Sequence, residues 1–380
     1  MGKAYDQLLS KLEKKKNKIP NGIIKRLQSG VPISFTINNT ASLLKTVVVP
    51  PENKKERKMI IEYDAKKNLP FNSDDIIFDS IELEQGKNII GVANADYMDS
   101  PAQTLLDKKW DYIFFTGSTR IGKIIAEKAA KNLTPITLEL GGKSPVAVFN
   151  DANQENAING ITAGIFGASG QSCIAGSRLY LQEEIYDEFL EKLSKRAEKI
   201  KIGAPMDPET EMGPISNYKQ LEVIEKNIKL TLEQGGKLKC GGQRHSFSNE
   251  GYYFPATIIE CDNHNLPVAE NELFGPVLSV MKFKTEEEVV SKMNDNQYGL
   301  SSGVYTSDLA RGMRVSKAIR AGITFVNTYR LISPTAPFGG IKDSGYGKEA
   351  GLESIKDYTR VKTTWFYTSD EPTLDPFSIR

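Results

Sequence analysis

Apolar and polar positions follow two rhythms along this chain, and the change between them divides it. Residues 1–30 read as a basic amphipathic helix interrupted at Pro20-Asn21-Gly22. The apolar runs 31–37 and 43–49 predict strands, the second closed by Pro50-Pro51. A polar helix over 53–68 precedes a pair of strands at 76–83 and 88–94, with Gln85-Gly86 as the hairpin turn. A helical pattern at 99–107 leads into the buried-type strand Tyr112-Ile113-Phe114-Phe115, a Gly-Ser-Thr turn and an alanine-rich helix over 121–131. From there strand and helix alternate. The pattern predicts strands at 145–149, 177–182, 276–282 and 299–305, and helices at 153–167, 184–199, 216–234 and 285–294. Such alternation predicts an α/β fold built on a largely parallel sheet. The tail 355–368 has extended, alternating character, and no internal repeat interrupts the chain.

Composition narrows the function classes. The 380 residues are enough for two or three domains, and 39% hydrophobic with 26% charged residues describes an ordinary globular protein. A net charge of +1 gives no general attraction to nucleic acid or anionic membrane, and the lysine-rich opening reads as a solvated helix face. No apolar run reaches the length of a membrane span, and the first twenty residues lack a signal peptide's apolar centre. The expected location is the cytoplasm. Cysteines at 173, 240 and 261 form no CxxC pair, which argues against a disulfide framework. With His245 and His264 the only histidines, neither a metal site nor a Cys–His dyad is expected.

The candidate chemistry lies in four segments: LELGGKSP (138–145), GQSCIAGSR (170–178), ELFGPV (272–277) and PFGGIKDSGYG (337–347). Cys173 sits among small and polar residues, where a thiol has room for a substrate carbonyl beside it. Glu139 stands at a glycine-rich bend and Glu272 ahead of Phe-Gly-Pro. A cysteine with a remote carboxylate is the minimum for covalent catalysis followed by hydrolysis. Cys240 and Cys261 have no such frame and are expected to be structural. FFTGSTRIGK (114–123) is a strand, turn and helix start whose backbone amides suit a pyrophosphate, although it is no GxGxxG fingerprint.

From about Lys109 to about Trp365 these motifs, in this order, resemble the NAD(P)-dependent aldehyde dehydrogenase superfamily. The resemblance implies an aldehyde-dehydrogenase-like catalytic domain beside a Rossmann-like cofactor domain. It implies oxidation of a small-molecule aldehyde to a carboxylate with NAD or NADP through a cysteine thioester. Cys173 would be the nucleophile and Glu139 the base that activates the hydrolytic water. Family branches that pass the acyl group to coenzyme A generally lack this glutamate, so its presence favours water as acceptor. Gly117, Ser118 and Gly122 would line the cofactor pyrophosphate, Glu272 would hold the nicotinamide ribose hydroxyls, and Phe274 would pack near the ring. Asn327-Thr328 and Pro337-Phe338-Gly339-Gly340 would border the substrate tunnel and complete the catalytic domain; the glycines are expected to serve tight turns. The family's protruding C-terminal sheet implies a homodimer or homotetramer.

The resemblance thins ahead of Lys109, where the family's Pro-Trp-Asn and Lys-Pro-Ser-Glu segments are missing. Residues from about Ser34 to Asp96 instead resemble part of the actin-like assembly ATPases of type IV pilus systems, without their nucleotide-binding loops. The expected organisation is therefore an atypical N-terminal α/β segment (1–108), a remnant of the cofactor domain (109–140), a catalytic domain (141–350) and an oligomerisation segment (351–380). A second expectation follows: a chimeric or degenerate chain with weak or no dehydrogenase activity, keeping residual esterase activity or an assembly or interaction role.

Overall fold

The computed structural model describes residues 91–93, 110–244, 251–368 and 370–377. The elements expected at 1–30, 31–37, 43–49, 53–68, 76–83 and 99–107 lie outside these residues, as does His245. The described chain divides into two compact units. The smaller takes in 91–93, 110–117 and 123–136. In it β1 (Gly91–Ala93) lies parallel to β2 (Ile113–Thr116), with Gly91 opposite Phe114. The strand expected at 88–94 thus has a parallel neighbour, and any hairpin with 76–83 falls outside the described residues. Helix α1 (Thr119–Lys131) follows β2 and buries Ile121, Ile125 and Ala129, spaced four apart on one face. Its first turn, through Gly122, belongs to the larger unit.

The larger unit begins with β3 (Ile136–Glu139) and β4 (Pro145–Val148), then α2 (Gln154–Ile165), β5 (Arg178–Gln182) and α3 (Tyr186–Glu198). Helix α4 (Tyr218–Glu233), β6 (Lys237–Cys240), β7 (Thr257–Glu260) and the single turn α5 (Pro267–Glu270) follow. Then come β8 (Val277–Phe283), α6 (Glu286–Asn294), β9 (Tyr298–Gly299), β10 (Ser301–Tyr305), α7 (Leu309–Ala318) and β11 (Ile323–Val326). The two-residue strands β12 (Ile341–Lys342) and β13 (Gly345–Tyr346) close the sequence of strands.

Seven strands form one sheet in the order β11-β10-β4-β5-β8-β7-β6. All neighbours are parallel except the edge pair β6–β7. Side chains alternate between its faces. Val146, Val148, Leu179, Leu181, Leu278 and Val280 join one apolar cluster, and Ala147, Phe149, Tyr180, Val277 and Met281 join the other. Burial on both faces explains why β4, β5 and β8 appear in the sequence as near-continuous apolar runs. Local signals set the helix starts: Asn153, Asn217, Thr285 and Asp308 each accept a backbone N–H with the side chain at an N-cap.

The tail departs from its extended reading. Its first part winds into a 3-10 helix over Glu353–Tyr358, and 359–368 form no strand in the isolated chain. No described helix is long and apolar enough to cross a membrane.

Candidate active site

Three segments that enter neighbouring parallel strands converge at the N-terminal ends of the sheet's central strands. Gly141–Ser144 leads into β4, 170–177 into β5 and 271–276 into β8, and the order β4-β5-β8 makes these three segments neighbours. Register fixes their alignment, with Pro145 opposite Arg178 and Arg178 opposite Ser279. Cys173, Glu139 and Glu272, far apart in sequence, are gathered by this topology.

The loop ahead of Cys173 is unusual in its backbone. Ala168, Ser169 and Gly170 have φ of 54°, 55° and 68°, three consecutive left-handed residues. Ser169 Oγ donates to Gly213 O at 2.8 Å, and Gln171 Oε1 accepts from Ser216 N at 2.9 Å, which fixes the loop from outside. Gly170 lies so close to Gly275 and Pro276 of the ELFGPV segment that a Cβ there would overlap Gly275 O and approach Pro276 N to 2.6 Å. Gly170→Ala is therefore expected to cost about 1–3 kcal/mol from positive φ and collision, and to displace the cysteine loop. A lowered denaturation midpoint with slower thiol acylation would bear this out; an unchanged midpoint would refute it.

Cys173 is partly exposed and is a free thiol, whereas Cys240 and Cys261 are buried in the core, as expected of structural cysteines. Burial, then the nearby Glu139 and Glu272 carboxylates, push the Cys173 thiol up to about 11, opposed by the backbone N–H groups of Ile174 and Cys173 itself. The resting thiol thus holds its proton at neutral pH and needs a base.

Glu139 is the carboxylate that acts most strongly on this thiol. It ends β3, opposite Gly345 of β13, and is only 3% exposed. Neither carboxylate oxygen has a hydrogen-bond partner among the described residues. Burial, then repulsion from Glu349, raise its carboxyl to about 8, against the pull of Lys348. Sequence reasoning did not single out Lys348 or Glu349. They are held here because Phe338 and Glu349 exchange backbone hydrogen bonds of 2.6 and 2.7 Å, and Lys348 Nζ donates to Gly339 O at 2.7 Å. Gly339 does more than turn the chain. A Cβ on it would lie 2.6 Å from Glu139 Oε1, so its bare backbone forms one wall of the carboxylate's pocket.

Glu272 is anchored on the bend after Glu139. Its Oε1 accepts from Gly142 N at 2.9 Å, and its Oε2 lies against Gly141, where any side chain would strike it. Burial raises this carboxyl to about 7, against the Gly142 hydrogen bond and the charge of Lys143. Phe274 is 38% exposed with φ of 46°, so it is presented at the surface beside Glu272 rather than packed in the core.

The remaining sequence-predicted residues sit around α1. Ser118 O accepts from Ile121 N and Gly122 N at 3.1 and 2.9 Å, starting the helix. Gly122 passes so close to Leu140 that a Cβ would overlap its side chain, so the helix start rests directly beside the residue after Glu139. Gly117 follows β2 in the smaller unit. Asn327 exchanges side-chain hydrogen bonds with Thr306 N and O at 3.0 and 2.8 Å, a structural brace between the ends of β11 and β10. Among the described residues no cluster of His, Cys, Asp or Glu could hold a metal.

Known proteins share this arrangement. The aldehyde dehydrogenase family profile matches residues 88–364. The match starts ahead of Lys109 and includes 88–96 of the segment that resembles an assembly ATPase; residues 34–87 lie outside it. A (Z)-2-((N-methylformamido)methylene)-5-hydroxybutyrolactone dehydrogenase of Acinetobacter baylyi is 48% identical over 270 residues, 71% of this chain and 55% of the relative. The crystal structure of PnpE from Pseudomonas sp. WBC-3 superposes with a TM-score of 0.71 at 41% identity, covering 74% of this chain and 58% of that one. An NAD+ complex of aldehyde dehydrogenase from Bacillus cereus gives 0.70 at 36% identity, covering 72% and 55%. The chain thus spans little more than half the length of these relatives. The ordered motifs, the convergent entering segments and the profile match over 88–364 together place this chain in the aldehyde dehydrogenase family.

Proposed function

We propose that this chain oxidises a small aldehyde to a carboxylate, with Cys173 as nucleophile and Glu139 as base. The observation that carries the reading is the gathering of a partly exposed thiol, a buried carboxylate without hydrogen-bond partners and the anchored Glu272 by β3 and the segments entering β5 and β8. Cys173 gives its proton to Glu139, and its sulfur bonds to the carbonyl carbon as the carbonyl π bond opens to a hemithioacetal. A nicotinamide held beside Glu272 and Phe274 would supply the acceptor for the hydride of this carbon, whose C=O then re-forms as a thioester. Glu139 releases the thiol proton to solvent and then takes a proton from water, and the resulting hydroxide adds to the thioester carbon. The C–S bond breaks, the departing thiolate takes its proton back from Glu139, and the acid loses its proton to solvent as carboxylate.

The residues present fit a nicotinamide dinucleotide. Glu272 offers a carboxylate oxygen beside the exposed Phe274 ring, and Ser118 and Gly122 begin a helix with no acidic side chain in its first turn. The Bacillus cereus relative, solved with NAD+, supports the assignment. The cofactor is NAD or NADP. Formation of reduced cofactor with a panel of aldehydes tests the reading. Absence of both reduced cofactor and a Cys173 acyl adduct by intact mass would overturn it.

The chimeric reading concerns the residues ahead of 88, where the family match begins. If that segment fails to complete the cofactor site, thiol chemistry would persist while nucleotide affinity falls. Three free cysteines suit a reducing compartment, in keeping with a cytoplasmic enzyme. The tail exposes Val361, Trp365 and Phe366, 99%, 91% and 83% open to solvent, which supports a homodimer or homotetramer built on it. Val361→Glu with Trp365→Glu is expected to shift the sedimenting species to monomer. An unchanged oligomer would move the interface elsewhere.

A further inference from the structure

Lys143, in the bend between Glu139 and β4, is 1% exposed, and its ammonium has no hydrogen-bond partner among the described residues. A buried cation without a partner is costly, and its own surroundings increase the cost. Arg178, on β5, is equally buried and donates to Lys143 O at 2.8 Å, so a second cation stands beside it. The lysine lines a small cavity of about 10 Å³ with Ser172, Ser177, Glu272 and Phe274, room for about one water. Glu272 is held in that cavity by the amide of Gly142, the residue immediately before Lys143.

We propose that Lys143 is a positioning residue of the nicotinamide-ribose site: its buried ammonium shares the cavity with Glu272, favours the carboxylate over the protonated acid, and thereby favours an acceptor for ribose hydroxyls. The inference rests on the reading of Glu272 as the ribose anchor. The charged and titratable groups around the pair are Arg178 on β5, Cys261 after β7, Cys173 and Tyr298. Among the carboxylates of the described residues, Glu272 is the one that bears on Lys143. Burial and Arg178 bring the lysine down to about 7, while Glu272 and Cys261 oppose that fall. The two groups therefore exchange protons in the same range and titrate as a pair. Removing the lysine charge leaves the carboxyl to desolvation alone, which favours its protonated form. A protonated Glu272 is a poorer acceptor, so cofactor binding should weaken most near neutral pH.

The test is calorimetric titration of the full chain with NAD from pH 6.5 to 9.5, for wild type, Lys143→Met, Glu272→Gln and the double variant. Lys143→Met is expected to raise Kd about five- to tenfold near pH 7, the effect of roughly a one-unit shift in Glu272. Its acid limb should move to higher pH and rejoin wild type above about pH 9, where Glu272 is ionised in both. Glu272→Gln should weaken binding with no such limb, and the double variant should match it, since the lysine acts through the carboxylate. Lys143→Gln replaces the methionine variant should thermal unfolding show that one misfolded. A Lys143→Met profile that superimposes on wild type, or additive effects in the double variant, would overturn the Lys143 role alone. Unchanged NAD binding in Glu272→Gln, or no NAD binding by wild type, would overturn the ribose reading and the lysine's role with it.

Discussion

Cys173→Ala is expected to lower aldehyde oxidation by about 10⁴-fold or more, the scale seen when a nucleophile that acts with its base as a unit is removed. Hydrolysis of an activated nitrophenyl ester should fall with it, because that reaction uses the same thiol. No other cysteine can substitute. Cys240 and Cys261 are buried in the two core clusters, and their thiols are pushed up to about 11 and about 12 by burial. The ester assay needs no hydride acceptor, so it reports on the thiol independently of the cofactor site. Wild-type ester hydrolysis with poor NAD and NADP affinity would mean that the residues ahead of 88 do not complete a nucleotide site. Tight NAD binding with rapid aldehyde turnover would mean that they do. Activity that survives in Cys173→Ala would remove the nucleophile, and wild type without any ester hydrolysis would mean that the thiol is not activated.

The sheet's centre was legible because its strands are buried on both faces. β4 and β8 are rich in valine, β5 carries Leu179-Tyr180-Leu181 at its centre, and the predicted bounds fall within a residue of the observed ones. β3, β7 and β11 were missed in spite of their β-branched runs, and three other missed strands have weak local signatures. β6 is Lys237-Leu238-Lys239-Cys240 at the sheet's edge, exposed over its first three residues, and its polar side chains look like a loop. β12 and β13 are two residues each and exist only because distant segments pair with them, Ile341 with Gly299 and Gly345 with Glu139. Nothing local announces such strands. The candidate site divides in the same way. Cys173 and Glu139 stand out by residue type in a small-residue frame. Lys143 reads as a surface lysine in a glycine-rich bend, and only the assembled sheet buries it. Lys348 and Glu349 acquire their place from the Phe338–Glu349 bridge. Phe274, expected near the nicotinamide ring, is exposed and has a left-handed backbone, which its residue type alone does not announce.

Glu139→Gln is expected to slow deacylation about 10²–10⁴-fold, the usual contribution of a positioned base, and to slow acylation less. Water activation belongs to the second half-reaction, so acyl-enzyme should accumulate on Cys173 and reduced cofactor should appear as a burst near one equivalent per site. In wild type the same residue sets the pH dependence. With its carboxyl at about 8, only about one site in ten holds the base form at pH 7. Deacylation should therefore rise about tenfold per unit below pH 7, about fivefold from pH 7 to pH 8, and then level, and the glutamine variant should lose this limb. Stability should move in the opposite sense. The folded state binds the Glu139 proton more tightly than an unfolded chain with an ordinary carboxyl near 4.5, so folding loses stability as pH rises from about 4.5 through about 8. The amide of the glutamine variant is not ionisable and escapes that loss, so the variant's Tm relative to wild type should climb between pH 5 and pH 9. Normal steady-state turnover without a burst would take Glu139 out of the mechanism. A Tm difference that does not vary with pH would show that this carboxyl does not resist ionisation, and the limb near pH 8 would then belong to another group.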